Sequence, residues 1–207
     1  MALLTEQEKQ RIAEAVSEVE KHTSGELVTV IARRADNYLY IPLLAAAMLA
    51  LAAPAVVNLI GNSWALSYNY LIQIAVFLVF GVLFRLPPLT MMLVPPAVKQ
   101  QRAHRLAMEQ FFARNLHHTA ERTGILLFVS LAEHYVEIIA DKGINDKVTP
   151  DIWQGVVDNF IRDVKSARPA DGFMHAVKAC GELLQAHFPA TGENHNELAD
   201  HLVEIQP

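Results

Sequence analysis

The distribution of charge divides this chain into two kinds of sequence. Residues 37–84 contain no Asp, Glu, Lys, Arg or His, whereas charged and apolar residues are interspersed on both sides of that stretch. As a helix rising about 1.5 Å per residue, residues 39–60 would reach about 33 Å, enough to cross the hydrocarbon of a bilayer. The return segment, residues 66–86, has Gln73 as its only strongly polar side chain away from the interface. The pattern predicts a two-helix transmembrane hairpin, the alternative being a pair of buried soluble helices.

The ends of this hairpin, residues 38–86, carry side chains typical of a membrane interface. Lys and Arg precede the first helix and follow the second, and the turn at residues 61–63 has none. The positive-inside rule then places both soluble parts in the cytoplasm, in a two-pass protein of a bacterial inner (plasma) membrane. Residues 1–23 have no apolar core, so we expect no export signal there. The predicted interface residues are Tyr38, Tyr40, Trp64, Tyr68, Tyr70 and Arg85.

Two Pro-Pro pairs bound the next segment, residues 87–96. The apolar residues between them are too few to span a bilayer. We predict an interfacial segment lying along the lipid headgroups, and packing under the soluble domain remains the alternative. The basic face that follows, formed by Lys99, Arg102 and Arg105, fits either anionic lipid or plain solvent.

The remaining sequence reads as one α/β domain in two parts, residues 1–37 and 97–190, followed by a polar tail at 191–207. Thr5 and Glu8 form a capping-box pattern at the start of an amphipathic helix. Short β-branched runs predict three strands, of which the last two pair as an antiparallel hairpin. Leu198, Leu202 and Val203 hint at a further helical turn in the tail. The predicted strands are residues 26–32, 125–131 and 135–140, and later helices are predicted at 97–119, from Thr149 onward, and at 173–187.

Composition excludes some classes of function. The formal net charge is −5 and no basic run of five residues occurs, so nucleic-acid binding is not expected. A single cysteine, Cys180, rules out an internal disulfide framework and a cysteine-based zinc site. Its position on the last helix predicts a small buried hydrophobe.

The strongest candidate for a chemical site is the acidic loop after the third strand. Asp141, Asn145 and Asp146 lie there, with Glu26 at the start of the first strand as a possible neighbour. Clustered hard oxygens suit Ca²⁺ or Mg²⁺. The same residue types also build ordinary solvated turns, so the alternative stays open.

A second candidate is a pair of adjacent histidines, His117 and His118, with Glu121 at helical spacing from them. Histidine and carboxylate ligands suit zinc. Adjacent histidines point in different directions on a helix, which favours a surface pair instead. No phosphate-binding glycine loop and no nucleophile elbow is present.

Three motifs resemble the TPM domain family. They are Thr23-Ser24-Gly25-Glu26-Leu27-Val28-Thr29-Val30, then Arg122-Thr123-Gly124-Ile125-Leu126-Leu127-Phe128-Val129-Ser130, then Val136-Glu137-Ile138-Ile139-Ala140-Asp141-Lys142-Gly143-Ile144. Trp153, Asp171-Gly172 and Phe188-Pro189 fit the same pattern. The resemblance covers residues 3–37 and 97–190, which is everything but the hairpin and the tail.

This resemblance implies an α/β/α sandwich with a small mixed sheet, here interrupted by the transmembrane hairpin. Members of the family have been connected with acid phosphatase activity, with repair of a photosynthetic membrane complex and with modulation of a membrane receptor. Some bind a divalent cation through acidic residues. Many are exported and anchored at the carboxyl end, whereas this chain carries its apolar segment inside the domain. An Asp often precedes the first helix of exported members, and none stands near Leu3-Leu4-Thr5.

Two functional hypotheses follow. The first is a non-enzymatic accessory module, bound to the lipid bilayer and to other membrane proteins, that assembles, protects or regulates a membrane complex. The second is a weak divalent-metal-dependent phosphatase working through the acidic loop. The absence of a recognisable catalytic set favours the first.

Overall fold

The fold is described from a computed structural model, which covers residues 4–59, 66–119, 121–190 and 202–205. The chain divides into two compact units. Residues 1–35 and 102–207 form the first, which we call the sheet domain. Residues 36–101 form the second, which we call the apolar unit. The predicted turn at 61–63, Trp64 and most of the tail lie outside the described residues.

The sheet domain contains a four-stranded mixed sheet in the order β3-β2-β1-β4. Strand β1 (Glu26–Ala32) pairs in parallel with β2 (Gly124–Ser130), with Glu26 opposite Gly124. Strand β3 (Tyr135–Ala140) pairs antiparallel with β2, which confirms the predicted hairpin. All seven residues of β1 and of β2 are buried, as expected for central strands covered on both faces.

The fourth strand comes from the tail and was not predicted. Residues Val203–Ile205 form β4, which pairs in parallel with the end of β1. The suggestion of a helical turn at Val203 is therefore wrong. Three residues are too few to show a period of their own, and the edge of β1 provides the hydrogen bonds that make them a strand.

Helices cover both faces of the sheet and make two cores. Alternate residues of β1 and β2, such as Leu27 and Leu127, pack into one core with α1 (Glu6–Glu20), α7 (Pro150–Lys165) and α8 (Pro169–His187). The intervening residues, such as Val30 and Phe128, pack into the other core with Ala103, Ala107 and Phe111 of α5 (Pro96–Ala113). Because successive side chains of a strand point to opposite faces of the sheet, each strand contributes residues to both cores.

The helix ends agree with the predicted signals in part. The Thr5 hydroxyl accepts from the Glu8 amide at 3.2 Å, and Glu8 Oε2 accepts from the Thr5 amide at 2.7 Å, which confirms the capping box. Helix α7 begins at Pro150, as predicted. Helix α8 begins at Pro169 rather than at residue 173, because proline is already favourable in the first turn of a helix.

The apolar unit consists of α2 (Tyr40–Leu59), α3 (Leu66–Leu83) and the short α4 (Pro87–Leu93). Helices α2 and α3 contact each other, and α4 contacts α2. Only 17% of the apolar stretch that makes up α2 is buried. Among the described residues, α2 is long and apolar enough by itself to cross a membrane, and a second span results if the bent pair of Tyr68–Leu83 and Pro87–Leu93 is taken as one.

The segment between the two proline pairs, predicted as interfacial, folds as the short helix α4. The axes of α3 and α4 differ by 105°. The Thr90 hydroxyl donates to the carbonyl of Phe84 at 2.7 Å and to that of Leu86 at 3.2 Å. The first bond holds α4 against the Phe84 carbonyl just after the end of α3, whereas the Leu86 carbonyl lies at the start of α4 and also accepts from the Thr90 amide.

Candidate functional site

The motif residues converge at one corner of the sheet domain, where β1 and β2 begin and β3 ends. We call this the motif corner, made of residues 23–26, 121–124 and 141–146. The Glu26 amide donates to the Thr123 carbonyl at 3.2 Å, and the Asp141 amide donates to the Gly124 carbonyl at 2.9 Å. Sequence motifs that are about a hundred residues apart thus form one continuous backbone network.

Thr23 ties this corner to the end of α8. Its hydroxyl donates to the Phe188 carbonyl at 2.6 Å and accepts from the Gly25 amide at 3.1 Å. The backbone of Thr23 also bridges to Pro189. Thr23 is fully buried, so its role is to close the domain rather than to face a ligand.

The charged centre of the motif corner is an ion pair between Arg122 and Asp141. Arg122 Nε lies 2.6 Å from Asp141 Oδ2, and Nη2 lies 3.1 Å from Oδ1. The Asp141 side chain is 7% exposed, and its Oδ1 also accepts from the Lys142 amide at 2.7 Å. The carboxylate raises the pKa of Arg122, first through the hydrogen bond and then through its charge. Both carboxylate oxygens are therefore already engaged.

The predicted polar loop after β3 is a short helix, α6 (Lys142–Asn145), capped by Asp141. The glycine in it serves close packing. A Cβ on Gly143 would lie 2.4 Å from the Glu121 carbonyl oxygen and 2.7 Å from that of Arg122. The Gly143 amide donates to the same Arg122 carbonyl at 3.0 Å. The sequence around Gly143 gives no sign of this contact, because Glu121 and Arg122 belong to the loop before β2.

The structure does not bring the four predicted metal ligands together around a common point. Asp141 faces Arg122, and Asn145 donates its side-chain amide to the Ala140 carbonyl at 2.7 Å. Asp146 is exposed and Glu26 is buried. Within the described part of the chain, no three His, Cys, Asp or Glu side chains are grouped so as to hold a metal ion. The residues present therefore do not fit a Ca²⁺ or Mg²⁺ site.

The second candidate is also not assembled as a site. His117 and His118 lie in a 3₁₀ turn, Leu116–His118, with their ring centres 4.1 Å apart. The Glu121 carboxylate accepts from the Ser24 hydroxyl at 3.1 Å instead. Helical spacing was the basis of the zinc hypothesis, and the helix has already ended at Ala113.

Cys180 is fully buried in the core beside α1, as predicted. Burial raises the pKa of its thiol to about 12. Because the thiolate is the reactive form, this cysteine is a packing residue and not a nucleophile.

Two polar clusters were missed by sequence reasoning. In the first, Asp163 of α7 accepts from His175 Nδ1 of α8 at 2.8 Å and from Arg168 Nη2 at 3.0 Å. These bonds lower the pKa of Asp163, with the His175 hydrogen bond as the largest cause. Nothing in the local sequence pairs residues on consecutive helices, so only their packing reveals this cluster.

The second cluster joins α5 to β3. Glu137 lies 2.9 Å from His104 Nδ1 and accepts from the Tyr135 hydroxyl at 3.0 Å. Burial raises the pKa of Tyr135, and the Glu137 carboxylate adds to this effect. Tyr135 and Glu137 are two positions apart on one face of a strand, a signal that the sequence did contain.

The predicted interface residues of the apolar unit divide by exposure. Tyr40, Tyr68 and Tyr70 are about half exposed, and Arg85 is exposed. Tyr38 is fully buried, which disagrees with its predicted place among exposed aromatic side chains. Its φ of 51° and the bond from its amide to Asp36 Oδ1 turn the chain before α2 begins.

Comparison with known proteins supports the resemblance in the second half of the chain. Residues 89–183 match the family model of the TPM domain. Among curated proteins, no significant match is found. A solved structure, the NMR structure of BA42 protein from the psychrophilic bacterium Bizionia argentinensis, aligns over 97% of this chain and 94% of its own, with a TM-score of 0.60 and 18% identity. At that identity, the likeness concerns the fold alone.

Proposed function

We propose that this chain is a two-pass protein of the inner (plasma) membrane, whose TPM-like domain acts in the cytoplasm as a non-enzymatic accessory module. Its partners would be the bilayer and other membrane proteins, in a complex that it assembles, protects or regulates. The observation that supports the anchor best is that α2 turns its apolar side chains outward. A core helix of a soluble protein would bury most of that surface.

The exposed surface of the apolar unit is costly in water. Leu44 is 63% exposed, Leu51 67% and Leu78 60%. Fully burying a side chain of this size is worth about 1.5–3 kcal/mol. Lipid tails provide the apolar surroundings that the rest of the unit does not.

The topology of the sheet supports an even number of crossings. Strand β1 precedes the apolar unit and β2 follows it, yet the two are neighbours in one ladder. Both ends of the apolar unit must therefore lie on the same side of any membrane. The positive residues at both ends, Arg34 before and Arg85 after, favour the cytoplasmic side.

The motif corner supports a non-catalytic role. Both carboxylate oxygens of Asp141 accept hydrogen bonds from Arg122, Oδ1 also accepts from the Lys142 amide, and the described acidic side chains are not grouped around a common point. A surface of this kind is suited to recognition by shape and hydrogen bonding rather than to metal-assisted hydrolysis.

The membrane proposal is tested on cell membranes and by labelling. We expect the full chain to stay in the membrane pellet after alkaline carbonate extraction. In separate Ser63→Cys and Thr191→Cys variants, an impermeant thiol reagent added to cells with a permeabilised outer envelope should label position 63, and position 191 only after the inner membrane is opened. Cys180 adds little background because it is buried. Release by carbonate would contradict the anchor, and labelling of position 191 from outside would reverse the orientation.

The catalytic alternative is tested with the purified full chain in detergent. We expect no divalent-dependent release of phosphate from an aryl phosphate above a protein-free control. Asp146→Asn is the informative variant because Asp146 is exposed and its removal should leave the fold intact. Robust turnover that Asp146→Asn and Asp141→Asn both abolish, but Asp158→Asn preserves, would replace the accessory role with a phosphatase.

A further inference from the structure

The edge strand β4 is attached to a sheet that is already complete without it. Strand β2 pairs with all seven residues of β1, whereas β4 pairs with the last three, from Val30 to Ala32. Strand β4 brings Leu202 to one core and two half-buried side chains, Val203 and Ile205, to the margin of the other. The pairing of β1, β2 and β3 therefore does not require β4.

Backbone hydrogen bonds and an ion pair hold β4 beside β1. The Ile205 carbonyl accepts from the Arg33 amide at 3.2 Å. Glu204 Oε1 lies 2.7 Å from Lys9 Nζ of α1, and the same ammonium group also pairs with Glu6. The Glu204 side chain is 39% exposed, so water weakens the ion pair and leaves β4 lightly held.

The amides of β1 report separately on the two neighbours of that strand. Successive amides of a strand point to opposite sides, and the Arg33 amide faces β4 while the Glu26 amide faces the β2 side. The Ile31 amide therefore faces β4 as well, and the amides of Val28 and Val30 face β2. Detachment of β4 would expose the first set of amides and leave the second set bonded.

We propose that β4 is a latch, which detaches from the edge of β1 and returns without unfolding the rest of the sheet domain. A short segment with few buried apolar side chains opens at a lower free-energy cost than the core does. Residues 191–201 keep the detached strand tethered to the end of α8. When the latch is open, β1 presents unpaired amide and carbonyl groups, the feature to which an extended segment adds in β-augmentation. This inference goes beyond the proposed function and does not depend on the membrane anchor.

The test is amide hydrogen exchange of the full chain in a mild detergent, followed residue by residue by NMR and corrected for intrinsic exchange rates. In the wild type, we expect the amides of Ile31 and Arg33 to exchange at least about tenfold faster than those of Val28 and Val30, yet more slowly than unprotected amides. Ile205→Asp places a charge where a half-buried apolar side chain packs. It should remove the protection of Ile31 and Arg33 and leave that of Val28 and Val30 within about twofold.

Milder variants examine the ion pair of the latch. Glu204→Gln and Lys9→Gln should each speed exchange of the Arg33 amide by about two- to fivefold, the range that corresponds to a partly exposed ion pair. The double variant should behave like either single variant, because both remove the same contact. Glu6→Gln is the matched control: it removes the other partner of Lys9 without touching β4, and the Arg33 amide should exchange as in the wild type.

Three results would overturn the latch. Equal exchange of the Arg33 and Val30 amides in the wild type would mean that β4 opens only when the sheet unfolds. Unprotected exchange of the Arg33 amide in the wild type would mean that β4 is not docked. Loss of protection at Val28 and Val30 in Ile205→Asp would make β4 an integral strand of the sheet. The outcome of carbonate extraction affects none of these measurements, so the latch and the membrane anchor fail separately.

Discussion

The two units of this chain differ in where they place their apolar side chains: the sheet domain buries them, and the apolar unit exposes them. In the sheet domain, β1 and β2 bury every residue, and charged side chains cover the outside. In the apolar unit, Leu, Val, Ile and Met face outward along both long helices. All but three of the exposed large hydrophobic side chains among the described residues, namely Phe112, Ile152 and Val164, lie between positions 39 and 92.

This contrast shows what the absence of charge means. A helix on the surface of a soluble domain carries polar residues because one of its faces meets water. Helix α7 follows that rule, with Trp153 and Phe160 buried and Asp158 exposed. Helix α2 has no polar face, and its packing against α3 leaves most of its apolar surface exposed.

The largest expected effect on stability comes from truncating a buried side chain, and an outward-facing side chain serves as its comparison. Phe173 is fully buried and packs edge-to-face on Phe160 with ring centres 4.9 Å apart. We expect Phe173→Ala to lower the free energy of unfolding of the sheet domain by about 3–5 kcal/mol. Leu44→Ala should change it by less than about 0.5 kcal/mol. Urea unfolding of the full chain in detergent, followed by Trp153 fluorescence in a Trp64→Phe background, measures both. Equal losses would mean that the two regions do not differ in this way.

A smaller effect compares two glycines. Gly143→Ala drives a Cβ against two backbone oxygens, which are unable to rotate away as a side chain would. We expect a loss of about 1–3 kcal/mol in the sheet domain. Gly81→Ala on α3 meets no atom within 4 Å, and alanine is the better helix former. The same fluorescence titration should show no loss for Gly81→Ala. An unchanged midpoint for Gly143→Ala would contradict the close approach at the motif corner.

The smallest expected effect is on how the stability of the sheet domain depends on pH in acid. The pKa of Asp163 in the folded domain lies below its ordinary value, first because of the His175 hydrogen bond. Ionised Asp163 therefore stabilises the domain above the unfolded pKa, and this contribution is lost as the pH falls from about 4 through the folded value. We expect Asp163→Asn to be less stable at neutral pH and to lose less stability on acidification. His175→Gln should reduce the same acid dependence.

Helices α2 and α3 are the natural control for this acid dependence, because residues 37–84 contain no carboxylate or histidine. The helical content that they contribute, measured by circular dichroism in detergent, should not change between pH 7 and pH 3. Acid unfolding that starts in these helices would contradict the assignment of the titrating groups to the sheet domain.

Much of the fold was predictable because its signals are local. The strand β1 was predicted with its observed bounds, and so was β3, since β-branched runs between turn residues need no distant partner to be recognised. The capping box at Thr5 and Glu8 is likewise a contact within one turn. By contrast, the motif corner depends on which groups the folded chain brings beside Asp141. The composition of the acidic loop fits either a cation site or an ordinary solvated turn, and in the structure Arg122 pairs with the Asp141 carboxylate.

The amino-acid sequence by itself determined the two-part layout of this protein: a charge-free stretch long enough for two helices, set between the halves of an α/β domain. It did so because hydrophobic periodicity and the absence of charge are properties of the chain alone. The tertiary structure decided the rest. It added β4 to the sheet, paired Arg122 with Asp141 and joined Asp163 to His175. Each of these depends on residues far apart in sequence, whose contacts exist only after the helices and strands have packed.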